Sequence, residues 1–283
     1  MQMDNSNLSD ISMRQYNQQE IEQNKDIQKE IKGMKEIKYF LNQFGFLSFG
    51  RDIMLCGSET FTLQGLITSL EFTAGSIISC CESGCLADAN TLLRKYKDDL
   101  FFYLYLVAYD SDCKIAEPSK RTRKMEKNIQ RWLRNELGDL GIGQILKEIG
   151  TSPQVTEAVM KYHLQKYLEK IKDRLNNYVH GNGIAYYNRS VNSYKESVLE
   201  KHISNLLLDM RFVTVTFLFL LTMFNPVFIM STDYVDCLDC SMTPPEDSQY
   251  WVAPFITEFF QENLDLIDKN GIAYLSEKTN MQF

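Results

Sequence analysis

The stretch LADANTLLRKYKDDLFFYLYLVAY, residues 86–109, decides the fold class. Its first half mixes charged and apolar residues at helical spacing, and its later turns are almost entirely aromatic and aliphatic. A segment this apolar has to be buried, so we predict a central helix of a helical bundle. The counts of 14 glycines and 6 prolines also favour helices, because a sheet-rich chain of 283 residues would need more turn residues.

Helical periodicity extends to both sides of this stretch. Helices are predicted over residues 13–44, 62–81, 86–109, 120–137, 153–180, 190–224 and, from a capping box at 243–246, over 243–268, with a short helix ending near 148. No alternating strand of useful length appears. The predicted fold is all-α, a bundle of four to five core helices. Its divisions are a polar N-terminal helical arm (1–45), a helical core (46–230) and an acidic C-terminal helical extension (231–283).

One segment raises the question of a membrane. Residues 212–230, FVTVTFLFLLTMFNPVFIM, contain no charge over 19 positions, which reaches the lower limit for a membrane span. Three threonines and the Asn225-Pro226 break interrupt this run, and it continues a helix that is amphipathic upstream. We therefore expect a buried core helix, with a membrane span as the alternative. The polar start MQMDNSNLSD lacks the apolar region of a signal peptide, so a cytoplasmic protein is expected.

The cysteines and histidines do not form a metal-binding pattern. Seven cysteines is an odd number, and Cys237 and Cys240 form a single CxxC in a segment that is predicted to be a loop. The three histidines are scattered, and no phosphate-binding glycine loop or metalloprotease motif occurs. We expect reduced thiols, no metal and no cofactor.

Charge is distributed unevenly along the chain. The net charge of −7 argues against a nucleic-acid binder that acts through bulk charge. Residues 120–134, KRTRKMEKNIQRWLR, nevertheless carry seven basic residues against one glutamate, whereas residues 233–268 carry nine acidic residues and no basic one. If RNA is bound, we expect this basic helix to contact it, and the alternative is a solvated helix face. The candidate RNA-binding residues are Lys120, Arg121, Arg123, Lys124, Lys127 and Arg131.

The segment KDRLNNYVHGNG, residues 172–183, ends a predicted helix and carries groups suited to phosphate chemistry. Gly181 supplies the left-handed residue that stops the helix. Arg174 is permanently charged and His180 can exchange protons near neutral pH, which meets the minimum needs of metal-free RNA cleavage. On an ideal helix the two side chains point about 120° apart, so a site assembled from two copies is the easier arrangement.

Two stretches together resemble the HEPN superfamily (higher eukaryotes and prokaryotes nucleotide-binding). RLNNYVH, residues 174–180, is similar to its R-x4-6-H motif, and SGCLADANTLLRKYKDDLFFYLYL is similar to an early helix of these proteins. The resemblance covers at most residues 62–224. It implies a helical bundle that dimerises face to face and, in many members, a metal-independent ribonuclease of bacterial defence or toxin–antitoxin systems. Arg174 and His180 would then be the catalytic pair, and Asn176 or Asn177 a polar helper.

A non-catalytic reading of the same residues stays open. Arg174 could pair with carboxylates such as Asp173 or Glu169, and His180 could serve only to end the helix. Arg94 and Asp98 have the i, i+4 spacing of an intrahelical ion pair, with support of a site as the alternative. The protein would then be a helical interaction module, with the N-terminal arm and the acidic C-terminal helix as docking surfaces for a protein partner.

Overall fold

The computed structural model describes residues 18–48, 53–56, 59–113, 119–138, 140–150, 152–181, 183, 196–244 and 252–283. Eleven helices in this part of the chain are named here in chain order: α1 (Lys25–Ser48), α2 (Gln64–Glu82), α3 (Leu86–Cys113), α4 (Lys120–Leu133), α5 (Ile142–Ile149), α6 (Pro153–Lys161), α7 (Leu164–Val179), α8 (Glu196–Phe224), α9 (Thr232–Asp239), α10 (Pro254–Asn263) and α11 (Gly271–Thr279). Two short 3-10 helices, Pro226–Ile229 and Leu264–Leu266, follow α8 and α10.

The all-α prediction is confirmed. Within the described ranges the only strands are β1 (Ile53–Cys56) and β2 (Glu59–Thr62), which form one antiparallel hairpin pairing Ile53 with Thr62 and Cys56 with Glu59. The sequence predicted no strand of useful length. Met54 and Cys56, on the same face of β1, are buried against the bundle, and this packing stabilises a strand too short to be recognised by its alternation.

The later turns of α3 and the middle of α8 form the centre of the bundle. Tyr103 of α3 meets Phe217 of α8 edge to face, with ring centroids 5.7 Å apart, and both side chains are fully buried. Phe44 of α1 packs against both rings, at 6.3 Å from Tyr103 and 6.0 Å from Phe217. The apolar stripe of the N-terminal helix therefore belongs to the same core cluster as α3 and α8.

The apolar segment of α8 is a buried core helix. Val198–Phe224 is long and apolar enough to span a membrane, but 83% of its most apolar window is buried inside the protein. Two of its three threonines are satisfied locally, because the Thr214 hydroxyl donates to the Met210 carbonyl at 2.7 Å and the Thr222 hydroxyl to the Leu218 carbonyl at 2.8 Å. The Thr214 hydroxyl also hydrogen-bonds that of Tyr96 on α3. The third threonine, Thr216, is also fully buried, and its hydroxyl has no hydrogen-bond partner among the described residues.

One predicted helix is divided in two. The single helix predicted over 153–180 is broken at His163, whose φ of 51° is left-handed, so that α6 and α7 are separate helices. The sequence gives no glycine or proline there. Tyr162, next to the break, packs edge to face against Phe219 and Tyr274 and donates its hydroxyl to Asp268 at 2.8 Å. Tertiary contacts at Tyr162 therefore override the helical pattern.

The C-terminal region contains two further differences from the predicted helices. The predicted loop around Cys237 is helix α9, and Cys240 occupies its C-cap. The helix predicted over 243–268 is α10, which starts at Pro254 in its first turn and ends at Asn263, whereas Thr243 and Pro244 of the predicted capping box lie in coil. The rest of that box, residues 245–246, lies outside the described residues. Proline fits a first helical turn because its missing N–H has no intrahelical partner there.

Candidate functional site

The end of α7 has a buried face and an exposed face. Leu175 and Tyr178 are buried, whereas Asn177 and His180 are exposed. The backbone N–H of His180, at the C-cap, donates to the Asn176 carbonyl at 3.0 Å. Gly181 follows with φ of 60°, so the predicted helix stop is confirmed.

Arg174 forms an ion pair with a residue of another helix. Its Nη2 contacts Oδ2 of Asp209 on α8, and only 12% of the Asp209 side chain is exposed. The neighbours that the sequence suggested, Asp173 and Glu169, are not the carboxylates in this pair. Asp209 lies 35 residues away along the chain, so no local spacing could reveal it.

Asn176 is fixed by a residue of α3. The Arg94 Nε donates to the Asn176 Oδ1 at 3.1 Å, across 82 residues of sequence. Arg94 also forms the expected i, i+4 ion pair with Asp98, and the fully buried Lys97 donates to Asp98 Oδ1 at 2.5 Å. A cluster of Arg94, Lys97, Asp98 and Asn176, called here the α3–α7 polar cluster, therefore joins the two helices.

The structure places Arg174 and His180 on different sides of the same helix end. Arg174 lines a groove between α7 and α8, and His180 is not among the residues that line it. Among the described residues no hydrogen bond or ion pair connects the two side chains. This agrees with the offset of about 120° expected for six helical residues. One copy of the chain does not bring the two groups together through direct contact.

The groove beside Arg174 has a volume of about 660 Å³. It lies between α7, α8 and the 3-10 turn that ends at Leu266. Its cationic residues besides Arg174 are Lys161 and Lys170, and its aromatic residues are Tyr162, Tyr167 and Phe212. Only Arg174 of these had been selected from the sequence. Lys170 and Tyr167 are one turn apart on α7, a spacing that the sequence shows but that also occurs on ordinary solvated helix faces.

Some basic residues of helix α4 are paired with other groups of the protein, and others have exposed side chains without such a partner in the described residues. Lys124 Nζ lies 2.8 Å from Oε1 of Glu148 on α5, and Arg121 Nε lies 3.7 Å from Oε2 of the same residue. Arg131 donates to the backbone carbonyl of Glu136 at 3.0 Å. Three further candidate RNA-binding residues remain exposed: Lys120, Arg123 and Lys127. RNA binding by this helix stays a prediction, and these three residues are its best candidates.

The described residues include potential metal ligands and six cysteine thiols. They contain no group of three or more His, Cys, Asp or Glu side chains placed to hold a metal ion. Burial raises the pKa of the Cys81 thiol, and burial followed by the nearby Asp88 carboxylate raises that of Cys80. A raised pKa disfavours the thiolate, which is the nucleophilic form of cysteine. Cys237 and Cys240 are free thiols on α9 and at its end.

Comparison with protein-family models, with curated proteins and with solved structures gives no match to this chain.

Proposed function

We propose that the protein is a metal-independent endoribonuclease of HEPN-like organisation, with the end of α7 as its catalytic strip. The supporting observation is the hydrogen bond from Arg94 to Asn176. It joins in space the two stretches that carry the resemblance, because Arg94 and Asn176 bond across 82 residues of sequence. Asn176 is held in place by this bond, and the exposed Asn177 and His180 beside it are accessible to a substrate.

The proposed reaction is attack of an RNA 2′-hydroxyl on the adjacent phosphorus, with cleavage of the bond to the 5′-oxygen. His180 takes the proton of the attacking hydroxyl or gives one to the leaving oxygen. Arg174 stabilises the charge on the pentacoordinate phosphorus through its planar guanidinium.

The separation of Arg174 and His180 leads us to propose a homodimer as the active form. Arg174 of one copy would face His180 of the other across the bound phosphate. The two variants Arg174→Lys and His180→Ala test this arrangement when they are mixed. A mixed dimer contains one composite site with both native residues, so mixing should restore part of the cleavage that each variant lacks. A site built within one chain would show no restoration.

The decisive experiment measures cleavage of end-labelled single-stranded RNA in the presence of a chelator. Wild type should cut, and His180→Ala should lose on the order of 100- to 10,000-fold in rate, the usual contribution of a general acid–base group. Lys166→Gln, an exposed change on the same helix, is the matched control and should cut normally. Circular dichroism verifies that each variant is folded. Undiminished cleavage by His180→Ala would refute the assignment.

A second candidate is a non-catalytic interaction module of the same fold. The observation that favours it is the ion pair between Arg174 and the largely buried Asp209, which already neutralises the proposed phosphate-binding arginine. A partner would dock on the N-terminal helix or on the acidic C-terminal region. Wild type that cuts no RNA, with or without divalent ions, would favour this function.

A further inference from the structure

The groove between α7 and α8 has the size of a small-ligand site. Its volume of about 660 Å³ falls within the roughly 300–1,000 Å³ of typical ligand pockets. Apolar side chains, including Leu164, Ile171 and Ile267, line much of it. Polar groups enter it from α7 and α8 at a few points, which is the usual composition of a pocket that orients its ligand.

The charges in the groove favour an anion. Lys161 and Lys170 line it, and in the described part of the chain neither lies within ion-pair distance of a carboxylate. The Lys161 Nζ lies 4.1 Å from the centre of the Tyr274 ring, and the Lys170 Nζ lies 5.8 Å from that of Tyr167. Asp209, the one carboxylate of the lining, forms an ion pair with Arg174. Lys161 also interacts electrostatically with the nearby Glu157 and Asp268 carboxylates, which offset its charge, so Lys170 is the cation of the lining most available to an anion.

The aromatic residues favour a ligand with a planar ring. Tyr167 is 49% exposed, although it lines the groove. Phe212 of α8 meets it edge to face, with centroids 5.9 Å apart, so the Tyr167 ring is supported from one side. Leu208, also 49% exposed, adds apolar surface nearby. An exposed ring with a lysine one turn away is a combination that holds a base and its phosphate in single-stranded nucleic acid.

We infer that this groove binds one nucleotide, with the base against Tyr167 and Phe212 and the phosphate near Lys170 and Arg174. Taking single-stranded RNA as the source of that nucleotide rests on the proposed function. A free nucleoside monophosphate has the same chemistry and is the other source. The groove would hold a nucleotide next to the one being cut, because Arg174 belongs to both the groove and the catalytic strip.

Isothermal titration calorimetry tests the inference with four probes: adenosine monophosphate, adenosine, inorganic phosphate and a single-stranded RNA of six adenylates. Adenosine monophosphate should bind more tightly than adenosine or phosphate alone. Lys170→Gln should weaken its binding several-fold, and Tyr167→Ala should weaken it about tenfold, since stacking on an aromatic ring is lost. Lys166→Gln and Tyr39→Ala are matched controls, exposed residues outside the groove, and should bind as wild type does.

The affinities for adenosine monophosphate and for the six-adenylate RNA are compared to identify the source of the nucleotide. Binding of the six-adenylate RNA at least tenfold more tightly than the monophosphate identifies RNA, and equal affinities identify the free nucleotide. The inference is overturned if neither probe binds, or if Lys170→Gln and Tyr167→Ala bind as wild type does. It is also overturned if a hexaglutamate peptide displaces adenosine monophosphate with comparable affinity, because an acidic protein segment would then be the occupant.

The groove and the catalytic strip can fail separately. Lys170 and Tyr167 report nucleotide binding by calorimetry, and His180→Ala reports cleavage. Wild type that binds adenosine monophosphate but cuts no RNA would retain the groove and reject the ribonuclease. If wild type cuts RNA and Lys170→Gln binds adenosine monophosphate as wild type does, the ribonuclease would be retained and the groove rejected.

Discussion

Helices α7 and α8 lie side by side, and the hydrogen bonds of the buried α8 threonines differ from those of the polar residues at the end of α7. In α8 the buried Thr214 and Thr222 donate to carbonyls four residues earlier in the same helix, and within the described residues only Thr214 has a second bond, to Tyr96 of α3. In α7 the polar residues bond to other helices, Asn176 to Arg94 of α3 and Arg174 to Asp209 of α8. A bond within one helix stabilises that helix alone, whereas a bond between helices fixes a side chain in space. The second kind of bond is the one that a binding or catalytic site needs.

The strongest way to break this comparison is a charge in the middle of α8. Leu218 is fully buried, so Leu218→Asp should abolish soluble folding, because a carboxylate would be buried without a partner. Leu208→Asp introduces the same residue on the same helix at a position that is 49% exposed, and it should fold. Soluble yield and circular dichroism measure both variants. A soluble, folded Leu218→Asp protein would refute the placement of α8 in the core.

A second comparison tests whether the exposed basic residues of α4 bind RNA. Reversal of the exposed Lys120, Arg123 and Lys127 to glutamate should weaken RNA binding. If all three contact phosphates, the slope of log affinity against log salt should flatten by about 2, from roughly 0.7 per contact on a single strand. Filter binding at several salt concentrations measures the slope.

The control for α4 applies the same change of net charge elsewhere. Reversal of the exposed Lys25, Lys29 and Lys201 adds equal negative charge on α1 and α8. This triple variant should leave the salt slope near that of wild type. Equal slopes in the two triple variants would show that bulk charge alone governs binding and that α4 is a solvated helix face.

The sequence predicted the features that depend on local pattern. The apolar stripes of α3 and α8, the stop at Gly181 and the Arg94–Asp98 pair all depend on residues within a few turns of one another. Asp209 opposite Arg174, Glu148 opposite Lys124 and the break at His163 depend on packing between segments far apart in the chain. No spacing rule contains that information. The exposed Asn177 and His180 were identified as candidates, but their surroundings were not.

The smallest expected effect tests the α3–α7 polar cluster against an ordinary ion pair on the same helix. Asp98→Asn removes the carboxylate that contacts Arg94 and the buried Lys97, and should cost about 1–3 kcal/mol, as for hydrogen bonds to charged groups. Asp99→Asn breaks the neighbouring i, i+4 pair with Lys95, whose side chain is 49% exposed, and should cost only about 0.3–0.5 kcal/mol. Urea unfolding measures both. Because Arg94 also holds Asn176, Asp98→Asn should additionally lower RNA cleavage, if the strip is catalytic, while Asp99→Asn should not. Equal free energies of unfolding for the two variants would mean that the cluster is no more than another surface pair and that α3 does not position the end of α7.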